Sequence, residues 1–225
     1  MLIGITGFIG SGKDTVANMF VERGCVHDSF AAPLKDLCSS IFGWERSMLE
    51  GDTTESRDFR ETPDMFWTKK LGVPNFTPRL ALQLLGTEVL RNHFDQNIWL
   101  NSLEYRVKKL HNQNECVVIS DCRFKNELEL IRRVGGTTIL VQRDDKPEWY
   151  DIALAANNGD AVAKHIMSKD FANIHLSEYE WIGSDIDFTI NNNGTLEDLY
   201  ANVDIVIEQL PQKPQIFNDN GLELV

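Results

Sequence analysis

The chain has 225 residues, 42% of them hydrophobic, and a formal net charge of −12. That length sustains one α/β domain with a buried core and leaves room for a small appended subdomain. The negative balance disfavours nucleic-acid binding as the main task, because a phosphate backbone would be repelled, and it makes each well-placed arginine informative. No stretch reads as a signal peptide or a long apolar span, so no membrane crossing is expected. The four cysteines form no CxxC pair and no metal spacing with histidine. Cys116 and Cys122 flank an apolar run and read as buried free thiols, which suits a reducing cytoplasm.

The first element is a buried strand over 2–6, and the second a helix over 14–23. Between them runs Gly7-Phe8-Ile9-Gly10-Ser11-Gly12-Lys13-Asp14. The glycines let backbone N–H groups turn toward one point, the helix start adds partial positive charge, and Lys13 adds a full one. Gly7-x-x-x-x-Gly12-Lys13 is therefore read as a nucleoside-triphosphate site, a P-loop. Most such loops continue with Ser or Thr, whose hydroxyl ligates Mg²⁺. Here Asp14 comes first and Thr15 second. A carboxylate there can hold Mg²⁺ through water, leaving Thr15 for the α-phosphate; Asp14 also suits a helix cap. The departure favours phosphoryl transfer to a small acceptor.

A short strand is expected over 26–30 and a helix from 33 to about 41, with Pro33 in its first turn. Residues 45–78 are polar, contain Pro63, Pro74 and Pro78, and read as a helical insertion with loops. Helix patterns follow over 79–94 and 98–110. Arg79, Gln83 and Thr87 are four residues apart and share a face. So apolar a helix should be largely buried, and its polar stripe would need partners: a substrate phosphate for Arg79, a base edge for Gln83. The alternative is a stripe facing water on a half-buried helix. Gly86 in mid-helix suggests close approach of something flat. Lys35, Arg60 and Glu61 are candidates for the acceptor side, with solvated surface charge as the alternative; Trp99 stacks on a base or packs in the core.

Cys116-Val-Val-Ile-Ser120 reads as a central parallel strand. Asp121 and Arg123 follow its C-terminal end, on the edge of the sheet that carries the P-loop. Asp121 suits Mg²⁺ and its waters, Arg123 suits phosphates, and Glu127 one turn on suits Arg123 or a substrate amine. A helix start with an acidic cap and a surface arginine is the plainer alternative. A helix over 124–134 and a strand over 137–141 come next. Residues 144–186 show no clear periodicity until a helix at 160–168. A strand over 187–190, a helix over 196–209 and a loose tail over 211–225 complete the chain. Strands alternating with helices imply a parallel sheet with right-handed crossovers and ligands at the strand C-termini.

Seven blocks then occur in order: Ser11-Gly12-Lys13-Asp14-Thr15, Ala32-Pro33-Leu34-Lys35-Asp36, Arg60-Glu61-Thr62, Leu85-Gly86-Thr87-Glu88, Asn92-His93-Phe94-Asp95 with Trp99, Asp121-x-Arg123-x-x-x-Glu127, and Asn192-Asn193-Gly194-Thr195-Leu196-Glu197-Asp198-Leu199. Together they resemble the deoxynucleoside monophosphate kinases of tailed phages, over most of 1–209. The resemblance implies a three-layer α/β P-loop kinase fold in one domain over 1–210. That domain would have a central parallel sheet, a helical acceptor-binding insertion at about 33–110 and a lid at about 144–180, with 211–225 as a tail. It implies Mg²⁺-dependent transfer of the ATP γ-phosphoryl group to a dNMP. By matched position it puts ATP at Gly10, Ser11, Gly12, Lys13, Asp14 and Thr15. The acceptor falls near Lys35, Arg60, Arg79, Gln83, Gly86, Thr87, Trp99, Asp121, Arg123 and Glu127. Lys13, Arg79, Asp121 and Arg123 are the expected catalytic residues, Asp14 and Asp121 the metal ligands. The family also suggests a homodimer, for which the leucine-rich helices over 79–110 offer an interface, and the host-cell cytoplasm for a phage-encoded chain. The first block also resembles dephospho-coenzyme A kinases, but Asp14 and the 79–87 and 121–127 blocks argue against that reading. A module that binds ATP without turnover is a third alternative, and a second polar pocket speaks against it.

Overall fold

In a computed structural model of the protein, five parallel strands form one sheet in the order β2-β3-β1-β4-β5. The structure describes residues 1–111, 115–144 and 146–210. The strands are β1 (Leu2–Thr6), β2 (Val26–Asp28), β3 (Val117–Ile119), β4 (Thr137–Gln142) and β5 (Phe188–Asn191). β1 lies between β3 and β4, with Leu2 opposite Val117 and Ile3 opposite Thr137. Every residue of β1 is buried, as a central parallel strand covered on both faces requires.

The helices are α1 (Lys13–Glu22), α2 (Ala32–Phe42), α3 (Thr54–Glu61), α4 (Met65–Leu71), α5 (Pro78–Gln83), α6 (Ile98–His111), α7 (Lys125–Arg133), α8 (Tyr150–Asn157), α9 (Ala161–Lys169) and α10 (Leu196–Gln209). Ile3 and Ile5 point to the face where Met19 and Phe20 of α1 and Leu199 and Val203 of α10 complete the main core. Gly4 points the other way; a Cβ there would lie 2.8 Å from Ile131 Cγ1, so its missing side chain lets α7 sit against the strand.

The chain divides into two compact units. The sheet unit comprises Met1–Ser29 and the chain from Glu104 on; the helical unit is Phe30–Leu103. The helical unit has its own core, in which Phe42 stacks on Trp44 with centroids 4.4 Å apart. Two indole N–H groups there are used, Trp44 on Asp64 Oδ2 at 2.8 Å and Trp67 on Phe42 O at 3.0 Å. Three of its helices, α3, α4 and α5, begin on side-chain caps at Thr53, Asp64 and Thr77, each satisfying an amide the first turn leaves open.

Four expectations need correction. The helix expected over 79–94 is α-helical only to Gln83; Leu84–Phe94 widens to i→i+5 hydrogen bonding and ends with Asp95 N–H on Leu90 O at 3.0 Å. That wider spacing takes Thr87 out of the four-residue register with Arg79 and Gln83. The same stretch is not largely buried: Arg79, Gln83 and Thr87 are exposed, and Ala81 and Gly86 carry the burial. The region 144–186 holds a helix the pattern did not reveal, α8, ahead of α9. Cys116 is not a free thiol: it is disulfide-bonded to Cys25, while Cys38 and Cys122 are free and buried. The tail over 211–225 lies outside the described residues.

Candidate functional site

The turn between β1 and α1 is built as a cradle. Gly7 has φ 145°, Gly10 79° and Gly12 97°, all in the region where an L side chain is strained. A Cβ on Gly7 would lie 2.3 Å from Val141 O, and one on Gly12 would lie 2.4 Å from Asn192 Nδ2. The backbone can pass these two places only as glycine. Asn192, just after β5, donates its Nδ2–H to Ser11 O at 2.8 Å and so ties the loop after β1 to the end of a strand that lies beyond β4 in the sheet. Ser11 is buried with its hydroxyl oxygen unpartnered, and such an orphan hydroxyl suits donation to an anionic oxygen.

Lys13 Nζ donates to Gly7 O at 2.9 Å and Phe8 O at 2.7 Å. Burial lowers its pKa to about 8, the positive charge of Arg123 adds to the lowering, and Asp14 and Glu178 oppose it. Lys13, Asp14, Arg123 and Glu178 therefore share one electrostatic environment, and the sheet unit brings three expected site residues together. Asp14 accepts from Ser120 Oγ at 3.0 Å. Asp121 is half-buried one residue further on. Arg123 Nη1 reaches Glu178 Oε1 at 3.1 Å, in a short 3₁₀ turn over Leu176–Glu178. Phe8 is packed edge-on among Trp149, Tyr150 and Trp181, with centroids 5.7, 6.2 and 5.0 Å away. A crevice beside it is lined by Arg143, Lys146, Tyr150 and Trp181, with Lys146 Nζ 4.1 Å from the Tyr150 ring centre.

Glu127 has a task at the helix start. It is buried, and its Oε2 accepts the backbone N–H of Arg123 at 2.8 Å and of Phe124 at 3.1 Å. It is the acid in the first turn of α7, where its charge favours the helix start.

In the helical unit, Lys35 and Arg46 both pair with the Glu50 carboxylate, and Arg60 Nη1 donates to Glu50 O at 3.2 Å. Burial would raise the Glu50 pKa, but the two cations hold it below the ordinary carboxylate range. Three basic side chains thus converge on one acidic residue. Arg79 Nη1 pairs with Glu61 Oε1 at 2.6 Å, both well exposed. Trp99 is a core residue: it is 8% exposed and donates its indole N–H to Gly86 O at 3.0 Å. What approaches Gly86 is the side chain of Leu34, whose Cδ2 would lie 2.6 Å from a Cβ there.

Sequence reasoning missed Ser120, His27, Asn192, Glu178 and Phe8 as parts of the site. Only Asn192 carried a signal, as the first residue of its Asn-Asn-Gly-Thr block.

A family model described as deoxynucleotide monophosphate kinase matches residues 50–203. A protein of Acanthamoeba polyphaga mimivirus, provisionally named a deoxynucleotide monophosphate kinase, is 32% identical over 94% of this chain and 98% of its own. The deoxynucleoside-5'-monophosphate kinase of Escherichia phage T5 is 30% identical over 60% of this chain and 73% of its own. Among solved structures, the dephospho-CoA kinase from Campylobacter jejuni aligns over 92% of this chain and 96% of that one, at 15% identity and a TM-score of 0.44.

Proposed function

The chain belongs to the deoxynucleotide monophosphate kinase family, and on that premise we propose that it transfers the γ-phosphoryl group of ATP to a deoxynucleoside monophosphate, giving the diphosphate and ADP. Beside the family match, the observation that carries the reading is the glycine cradle with Lys13, Asp14 and Arg123 in one field. The reaction asks for alignment and charge neutralisation rather than covalent chemistry by the protein. Lys13 exchanges its two carbonyl contacts for the β- and γ-phosphates. Gly10, Ser11, Gly12 and Thr15 line the triphosphate. The residues present suit Mg²⁺, since Asp14 and Asp121 are hard oxygen ligands beside the cradle. Bound there, the ion would neutralise phosphate charge. Arg123 leaves Glu178 and binds the acceptor phosphate, screening its repulsion from ATP.

On the acceptor side we assign Lys35, Arg60, Arg79, Gln83 and Thr87 of the helical unit. The convergence of Lys35, Arg46 and Arg60 on Glu50 supports this, because an anionic phosphate would satisfy the same cations. Gly86 and Trp99 are left out, being committed to packing, while Glu127 holds the backbone of Arg123 in place beside the acceptor. Release of ADP with ATP and a panel of all dNMPs, all NMPs and dephospho-coenzyme A tests the proposal. Turnover with one or more dNMPs is expected. Turnover with dephospho-coenzyme A alone, or ATP binding without acceptor-dependent ADP release, overturns it.

A further inference from the structure

Three strand ends meet behind Asp14. His27 lies on β2, Ser120 follows β3, and Asp14 follows β1 in the first turn of α1; the three strands are neighbours in the sheet. Ser120 Oγ donates to Asp14 Oδ1 at 3.0 Å, and His27 Nε2 lies 3.0 Å from the same Ser120 oxygen. Ser120 is 5% exposed, whereas Asp14 and His27 are exposed.

The direction of this chain follows from proton counting. A hydroxyl has one hydrogen, and an ionised carboxylate can only accept. The Ser120 hydrogen is therefore committed to Asp14. His27 Nε2 must then carry a hydrogen and donate it to Ser120. The relay runs His27 to Ser120 to Asp14, and it leaves Asp14 Oδ2 outside it. An exposed aspartate in a first turn otherwise samples several χ1 rotamers. A donor anchored on a buried serine selects one of them.

We propose that Ser120 and His27 are positioning residues that fix the Asp14 carboxylate for metal–nucleotide binding, taking the role that a hydroxyl ligand directly after the P-loop lysine plays elsewhere. The inference rests on the reading that Asp14 holds Mg²⁺. Outer groups that orient a metal ligand affect metal affinity by about 10- to 100-fold.

The test is Mn²⁺ binding in the presence of a non-hydrolysable ATP analogue, read from the electron paramagnetic resonance signal of free Mn²⁺. Alongside it, kcat and KM for the acceptor and the melting temperature are measured. Ser120→Ala should weaken Mn²⁺ binding about tenfold or more and lower kcat, with acceptor KM unchanged. His27→Ala, at an exposed position that folding tolerates, should give a smaller loss in the same direction. His27→Gln should recover it, because the glutamine amide donates where Nε2–H did. Asp14→Asn is the reference. If it loses Mn²⁺ affinity while Ser120→Ala and His27→Ala bind as the parent does, the relay is overturned and the Asp14 reading stands. If Asp14→Asn itself binds Mn²⁺ with parental affinity, both fall.

Discussion

Lys13 carries its charge in a place that taxes it. Burial brings its pKa to about 8, against about 10.4 in an unfolded chain. Between those values the unfolded state binds a proton that the folded state does not, so this group makes stability rise with pH across that interval. Nucleotide binding has the opposite sign. A triphosphate favours the charged amine and draws the pKa back up. Affinity for ATP should thus fall as pH rises through about 8, and binding at pH 9 should take up close to one proton where binding at pH 7 takes up almost none. Titration calorimetry in two buffers of different ionisation enthalpy checks this; equal proton uptake at both pH values would refute it. Arg123 has a weaker hold on its partner. Its pair with Glu178 is partly exposed and worth under about 1 kcal/mol. Glu178→Gln should therefore change acceptor KM less than about fivefold, whereas Arg123→Ala should lower kcat by about 10²–10³ with ATP binding nearly intact. Lys13 and Arg123 were legible because a short-range pattern announces them. Ser120 was not, and Asn192 stood out only as part of a block with no role attached, since each meets the cradle across 106 or 181 residues of sequence and only the parallel register brings them there.

Strand-turn-helix units were the most readable elements, because buried strands and capped helices are both local signals. α10 begins where Thr195 and Asp198 form a capping box, and that motif is visible as a string. α8 escaped notice because its Ile-Ala-Leu-Ala-Ala run is apolar almost all round and shows no stripe, although alanine favours helix strongly. The widening of the helix at Leu84 is invisible to any reading that assumes a period of 3.6, and it is why the polar stripe 79/83/87 was drawn too long. Two glycines that look alike in the sequence differ in what surrounds them. On Gly86, an added methyl meets the tip of the Leu34 side chain, which can rotate away, and better helix propensity offsets part of the cost. On Gly7 it meets the backbone oxygen of Val141 at 2.3 Å, at a φ of 145°. Neither atom can yield. Urea unfolding should show Gly86→Ala within about 1.5 kcal/mol of the parent and Gly7→Ala lower by more than about 3 kcal/mol with ATP binding lost. Equal losses in the two variants would mean that the cradle is not the rigid part of the molecule.

At the scale of the whole molecule, length and the β-branched runs were enough to indicate a parallel α/β sheet, and the expected helical insertion at about 33–110 falls close to the helical unit Phe30–Leu103, while the cross-link was not legible. Cys25 and Cys116 are 91 residues apart, and they meet only because Val26 pairs with Val117. Spacing in the chain gives no hint of that register. The bond joins the starts of β2 and β3, whereas the P-loop follows the end of β1; in a parallel sheet these are opposite edges. Val26 N–H already donates to Cys116 O at 2.7 Å, so the strands stay paired when the thiols are reduced. Its effect should then fall mainly on the unfolded chain, where closing a loop of this length contributes about 4–5 kcal/mol. A reductant should lower the urea midpoint by that amount of stability while leaving phosphotransfer at 25 °C unchanged. Thiol counting in denaturant should give two reactive groups in the unreduced protein, Cys38 and Cys122, and four after reduction. Four thiols without reductant, together with superimposable unfolding curves, would show that the cross-link does not form in solution. Loss of activity on reduction would show instead that the two edges of the sheet are coupled in a way the hydrogen-bond register does not provide.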